Sequence, residues 1–246
     1  MFKKALTFSS LFALGIVLTI SSLNAHSALS MSKENCSIGI DSSEQTIKTQ
    51  TDTDSIKSLY LKTNIDKYVT YDVFKNAVQG FNKINSKQKP ILTLIDFSKP
   101  SSEERLFVID LSKQEIILSS YVSHGKNSGG NYAENFSNRN GSYQSSLGFY
   151  KTAGTYIGAN GYSLLLDGLE KGFNDNARKR AIVMHGADYA NPNTIKSMGR
   201  LGRSLGCPAL PRSVSKKVID IIKNGSVMYI HANNQEYLTH SKLLNS

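Results

Sequence analysis

The chain has 246 residues, enough for one full domain with appendages. Its hydrophobic and charged fractions, 39% and 20%, exclude collagen-like, coiled-coil and wholly disordered classes. Two Cys exclude a disulfide scaffold, and the formal charge of +10 points to an anionic partner or to simple solubilisation.

Lys3 and Lys4 precede an apolar run, Leu11 to Ile20, followed by small residues up to Ala28. This pattern predicts a secretory signal peptide over 1–28, hence a periplasmic or secreted protein. The run is broken early by Thr7, Ser9 and Ser10 and is shorter than the ~20 apolar residues of a spanning helix. No stable membrane span is expected after cleavage. An exported protein without a nucleic-acid motif is not expected to bind nucleic acid, so the basic balance fits an anionic cell-envelope polymer.

Residues 29–56 are rich in Ser, Thr, Asp, Lys and Gln, with no aromatic residue before Tyr60. Such a segment buries too little to offset its chain entropy and reads as a flexible polar linker. The domain is therefore expected over 57–246. A helix is predicted at about 70–84, with Thr70 as cap and Val73, Phe74, Ala77, Val78 and Phe81 on one face.

Beyond Pro90 come short β-like runs: Ile91–Phe97, Arg105–Leu111, Glu115–Ser123, Tyr162–Leu166, Ala181–His185 and Val227–His231. A last helix is expected between the final two runs, with Ser213 as cap, Val214, Val218, Ile221 and Ile222 as its apolar face, and Gly225 as its stop. Strands dominate without βαβ alternation. The fold class is mainly β with a few helices, a β-sandwich or barrel preceded by a short helical segment. The Gly-, Asn- and Ser-rich stretch from His124 to Gly148 is long for a structureless loop and is expected to cover a site.

One neighbourhood combines a nucleophile, a base and a special backbone. His185 ends a buried-looking run, and Gly186 is expected to let the chain turn away so that the imidazole projects. Cys207 lies between Gly206 and Pro208. A free thiol is mostly protonated at neutral pH, so a neighbouring imidazole is needed to make it nucleophilic. The N–H groups of Gly206 and Cys207 are candidate oxyanion donors. Two bland readings compete from spacing alone: an inert buried thiol, and a Cys36–Cys207 disulfide. Asp188 is close enough in sequence to orient His185, and Tyr189 to line the cleft, although solvation and packing explain them equally well.

The constellation gains specificity from a resemblance. Residues 202–209 read Gly-Arg-Ser-Leu-Gly-Cys-Pro-Ala. They are similar to the Cys motif of one branch of the L,D-transpeptidase catalytic domain family, Gly-Arg-Ser-x-Gly-Cys-Pro-Ala. Further agreement lies in Ile95 to Ser101, Ser123 to Lys126, Phe136 to Asn138, Asp167 to Glu170 and Asn174 to Arg178, so the similarity runs from about Tyr71 to Ile230.

What the resemblance implies is a cell-wall enzyme acting on peptidoglycan stem peptides. A Cys nucleophile attacks the carbonyl of the third-position diamino acid of a tetrapeptide, releases the terminal D-alanine and leaves an acyl-enzyme. An amine from a second stem then forms a 3-3 crosslink. Cys207 matches the nucleophile, His185 the base, and Ser204 and Gly206 the turn that shapes the oxyanion hole. Carbapenems, which acylate the family's Cys, are expected to label Cys207. No cofactor or metal is implied.

The chain departs from the commoner family form in having Leu205 where a His stands two residues before the Cys, and Ala209 where an Arg stands two residues after it. His124 is the candidate for the missing imidazole and Arg203 for the missing cation. Water as acceptor would make the enzyme an L,D-carboxypeptidase or endopeptidase. Three other classes compete. Gly202 to Gly206 fits the serine-hydrolase elbow, His124, His185 and Asp188 are a conceivable zinc set, and a catalytically silent wall-binding domain is the non-enzyme reading.

Overall fold

The computed structural model describes residues 53–245. The expected leader at 1–28, most of the expected linker and Cys36 lie outside the described residues. The last residues of that linker, 53–56, are instead the start of a helix, α1 (residues 53–62), and Ile56 is buried. A single 3-10 turn, Ile65–Lys67, joins α1 to α2 (Tyr71–Lys83). Their packing is aromatic: Tyr60 meets Tyr71 edge-on with centroids 5.4 Å apart, and Phe74 at 5.5 Å.

Helix α2 buries Val73, Phe74, Ala77, Val78 and Phe81, the face its 3.6-residue periodicity predicts. Thr70 sits at its N-cap position, but the hydroxyl makes no capping hydrogen bond, and the acidic group of the first turn is Asp72.

Among the described residues eight strands form one sheet: β1 (Ile91–Asp96), β2 (Leu106–Asp110), β3 (Glu115–Ser120), β4 (Gly148–Gly158), β5 (Gly161–Gly168), β6 (Val183–Ala187), β7 (Ala209–Pro211) and β8 (Val227–His231). Their spatial order is β3-β2-β1-β8-β4-β5-β6-β7. Pairing is antiparallel except between β1 and β8 and between β6 and β7. β1 and β2 are buried along their whole length, which explains why they read as continuous apolar runs.

The sheet curls until its two edges meet. After β3 the chain crosses to β7, where the Ser123 N–H donates to the Ala209 carbonyl at 2.8 Å and Gly125 bridges Ser204. The architecture is therefore mainly β and barrel-like, as expected, with one nearly closed sheet in place of two stacked sheets. Closure removes the edge that would otherwise expose unpaired backbone groups next to the Cys turn.

Two strands have no counterpart in the sequence expectations. β4 carries Gly148, Gly154 and Gly158, poor strand formers, yet it is held on both flanks by β8 and β5, with an irregularity between Thr152 and Thr155. β7 is only three residues long and ends in Pro211, so its strand character comes from its pairing with β6. Helix α3 (Asn193–Met198) precedes the Cys turn, and α4 (Arg212–Ile222) follows β7. The N-cap position of α4 is Pro211 and Ser213 lies inside its first turn. Its buried face is Ser215, Val218, Ile219 and Ile222, turned by about one residue from the expected Val214 face. Two short helices, α5 (Gln235–His240) and α6 (Lys242–Asn245), close the described chain.

Candidate active site

β6 and the turn leading into β7 lie side by side, with His185 in register with Ala209. This pairing brings His185 and Cys207 to one cavity of ≈ 560 Å³, which is also lined by Arg180, Tyr189, Arg203, Ser204 and Leu205. The expected loop contributes Asn140, Gly141 and Tyr143 to the same cavity.

The Cys207 turn is a hydrogen-bonded unit. The Ser204 hydroxyl donates to the Cys207 carbonyl at 2.7 Å and accepts from the Gly206 N–H at 3.0 Å. The Ser204 N–H donates to the His124 carbonyl at 2.9 Å, and the Lys126 N–H donates to the Ser204 carbonyl at 2.8 Å. Gly206 has a φ of 123°, a backbone region closed to residues with a Cβ. A Cβ there would also lie 2.8 Å from the Gln144 carbonyl oxygen.

This geometry corrects the oxyanion expectation for Gly206, whose N–H is already spent on Ser204. The Cys207 N–H has no hydrogen-bond partner among the described residues.

Cys207 carries a free, half-buried thiol. Its Sγ accepts from the Val183 N–H at 3.5 Å and lies 3.8 Å from the Ala181 carbonyl, to which the S–H donates. Burial pushes the thiol above its ordinary value, while the Val183 N–H and the Arg180 guanidinium pull it back. Val183 and His185 are two residues apart on β6, so their side chains share a face of the strand.

The His185 imidazole is buried and its Nδ1 is 3.1 Å from the carbonyl of Gly186. A carbonyl only accepts, so Nδ1 carries the proton and Nε2 holds the lone pair. Burial lowers the His185 pKa, so the ring is neutral at neutral pH. No hydrogen bond joins the thiol to His185 directly; such contacts often tighten only when substrate is bound.

Gly186 has a different role from the expected turn. The strand continues through it to Ala187, and a Cβ at Gly186 would lie 2.5 Å from the Ser215 hydroxyl. Its missing side chain is what lets α4 pack against β6 behind His185. Asp188 does not orient His185 either. It is exposed and pairs with Arg212 at 2.7 Å, and the Gly186 carbonyl holds the imidazole. Tyr189 does line the cavity, and burial together with the nearby Cys207 pushes its phenol up to about 12.

His124 is not a cavity residue. It is buried, with Nδ1 at 2.7 Å from Arg105 Nη2, which donates to it, and Nε2 at 3.4 Å from the Gly129 carbonyl. Burial and the Arg105 charge pull its pKa down to about 3. Arg105 is itself fully buried, donating to the Val122 and Lys99 carbonyls and lying 4.7 Å over the Phe97 ring. The pair braces the 122–124 segment, whose His124 carbonyl accepts the Ser204 N–H of the Cys turn. Arg203 reaches the cavity and donates to the Gly129 carbonyl at 2.9 Å.

The residue missed by sequence reasoning is Arg180. Only its position five residues before His185, in a run of three basic side chains out of Arg178, Lys179 and Arg180, marks it, and charge runs are usually solvated faces.

The same contacts bear on two competing chemistries. The Ser204 hydroxyl is occupied within the turn, and the segment after it is β7 followed by α4 from Arg212, so no strand-to-helix elbow forms. His124 and Asp188 are held by Arg105 and Arg212, and no group of three potential ligands gathers around a metal position among the described residues.

A family model for the L,D-transpeptidase catalytic domain matches residues 65–231, more than half of the chain. The chain belongs to that family. Solved L,D-transpeptidases similar to this family member include one from Mycobacterium smegmatis, 13% identical with a TM-score of 0.37, covering 58% of this chain and 59% of its own. One from Stackebrandtia nassauensis is 16% identical with a TM-score of 0.35, covering 75% and 79%. One from Xylanimonas cellulosilytica is 12% identical with a TM-score of 0.34, covering 58% and 61%. The chain thus spans less than two thirds of the first of these structures. No curated protein matches its sequence. Among the described residues no helix is long and apolar enough to cross a membrane.

Proposed function

We propose that this L,D-transpeptidase-family protein is exported by a signal peptide over 1–28 and forms 3-3 crosslinks in peptidoglycan, with Cys207 as nucleophile. We place it in the branch with the Gly-Arg-Ser-x-Gly-Cys-Pro-Ala motif. The supporting observation is that Cys207 and His185 line one cavity, with the lone pair of His185 left on Nε2.

Both groups rest in their neutral forms, because burial raises the thiol and lowers the imidazole. The first step is therefore general-base attack. His185 Nε2 takes the thiol proton as Sγ bonds to the carbonyl carbon of the third-position diamino acid. The Cys207 N–H faces the oxyanion, a donor worth about 3 kcal/mol in comparable sites. The C–N bond then breaks, the imidazolium returns its proton to the departing D-alanine amine, and a thioester remains on Cys207. In the second half, His185 takes a proton from the acceptor amine of another stem, the new amide forms, and the thiol is released with its proton.

The test is incubation of the mature protein with a disaccharide tetrapeptide, read by mass spectrometry beside Cys207→Ala. A crosslinked dimer that vanishes in the variant is the expected result. Tripeptide and free D-alanine without dimer would replace the transpeptidase by an L,D-carboxypeptidase with the same first half-reaction. Absence of product from either protein would leave the wall-binding reading.

A further inference from the structure

The Cys turn is built against a cation that the sequence motifs do not include. Arg180 ends the segment just before β6, with its backbone N–H bonded to the Asn176 carbonyl at 2.8 Å. Its guanidinium reaches across the cavity wall to the 124–148 loop. Nη1 donates to the Ser137 carbonyl at 2.7 Å and to the Ser146 hydroxyl, and Nη2 donates to the Gln144 carbonyl at 2.7 Å and the Ser142 hydroxyl at 3.1 Å. Nη2 also lies 3.5 Å from where a Cβ on Gly206 would stand, directly beside the residue preceding Cys207.

All four loop partners of Arg180 are neutral oxygens. Among the described residues no carboxylate lines the cavity and none is within ion-pair distance of the guanidinium. A half-buried cation without a counter-ion is expensive, and a charge that appears beside it is correspondingly favoured. The other ionisable groups around the thiol are the Tyr150 phenol from β4, the Tyr189 phenol, the neutral His185 and Arg203 at the cavity rim. None of these supplies a fixed buried positive charge.

We infer that Arg180 is a positioning residue with two linked tasks: it pins the loop from Ser137 to Ser146 over the cavity, and it is the countercharge of the Cys207 thiolate. It thereby takes the place that the missing Arg after the Cys leaves open, a place for which Arg203 was the candidate from sequence. The planar fork suits the first task, since four oxygens are held at once. The electrostatic task follows from its position beside the Cys turn, and among the described residues Arg180 is the charge that pulls the thiol downward. The inference rests on the thiol reading of the site, and it makes loop order and thiol ionisation depend on one side chain.

The test is the pH dependence of Cys207 alkylation by iodoacetamide in the full chain, with peptide mass spectrometry separating Cys207 from Cys36. Arg180→Gln keeps two donors and removes the charge, whereas Arg180→Lys keeps the charge and loses the fork. Alkylation of Arg180→Gln at pH 7 is expected to be about three- to tenfold slower than wild type and to converge with it above the thiol pKa, because only the thiolate reacts. Arg180→Lys is expected to keep the wild-type titration midpoint while increasing proteolysis within 137–146. Arg180→Met, which preserves bulk, serves in place of the Gln variant should that fail to fold.

An unchanged midpoint in the neutral variant would overturn the inference, as would an equal shift in Arg180→Lys. So would Arg203→Met shifting the midpoint as far as Arg180→Gln. These readouts do not depend on turnover. A thiol that titrates with Arg180 in a protein whose Cys207→Ala variant still processes stem peptide would reject the nucleophile assignment and leave the role of Arg180 intact.

Discussion

Truncating Ser204 separates scaffold from chemistry at the centre of the site. Ser204→Ala removes an oxygen that accepts from the Gly206 N–H at 3.0 Å and donates to the Cys207 carbonyl at 2.7 Å. Both partners are then stranded in a turn whose Ser is only 3% exposed. An unsatisfied buried group costs about 1–3 kcal/mol, so the two together should cost about 2–6 kcal/mol. For a domain of this size that corresponds to a fall in Tm of roughly 4–24 °C. The chain has no Trp, so urea unfolding is best followed by far-UV circular dichroism, where a lower midpoint at constant slope reports stability alone. The hydroxyl takes no proton from the thiol, so alkylation of Cys207 should persist in the folded variant. A loss below about 0.5 kcal/mol would refute the view of Ser204 as the tie of the turn. Covalent capture of Ser204 itself by a fluorophosphonate would refute the view of it as scaffold.

Three further outcomes are expected. A carbapenem should add one adduct mass to the wild-type chain and none to Cys207→Ala, read by intact mass; an adduct that survives in the variant would move the nucleophile elsewhere. Gly186→Ala should destabilise by about 1–3 kcal/mol, because its new methyl would lie 2.5 Å from the Ser215 hydroxyl, and Ser215→Gly should recover part of that loss; additive effects in a double-mutant cycle would refute this contact.

The third concerns acid. The folded pKa of His124 is about 3, below the ordinary 6.5, so above pH 6.5 the ring is neutral in both states. Below 6.5 only the unfolded chain gains the proton, and stability falls by up to about 1.4 kcal/mol per pH unit on the way to pH 3. His185 and His231 are lowered as well and steepen the same limb. His124→Asn should flatten the fall between pH 6.5 and 5 by close to one proton, measured by urea unfolding across pH, and an unchanged slope would refute the buried neutral ring.

Legibility of the site followed the range of the interactions. The meeting of Cys207 and His185 at one cavity was readable because each stands in a local signature, a Gly-Cys-Pro turn and an apolar run leading into His-Gly. β8 and the apolar face of α2 were readable for the same reason, since full burial leaves a continuous apolar run in a strand and one-sided burial leaves a period of 3.6 in a helix. The first turn of α4 was misread: Ser213 looked like a cap, but Pro211 occupies that position and the helix rotates so that Ser215 meets Gly186.

The sequence by itself determined the class of fold, the family and the two residues proposed for the chemistry, because these depend on composition, periodicity and short motifs. Tertiary structure decided everything that requires distant segments to meet. It closed the sheet through Ser123 and Ala209, made strands of the Gly-rich β4 and the three-residue β7, and spent the Gly206 amide on Ser204. It turned His124 away from the cavity to Arg105, gave Asp188 to Arg212, and brought Arg180 against the Cys turn. The physical reason is common to all of these. A buried donor, acceptor or charge must find a partner, and which partner it finds is fixed by the packing of the whole sheet, which no local pattern records.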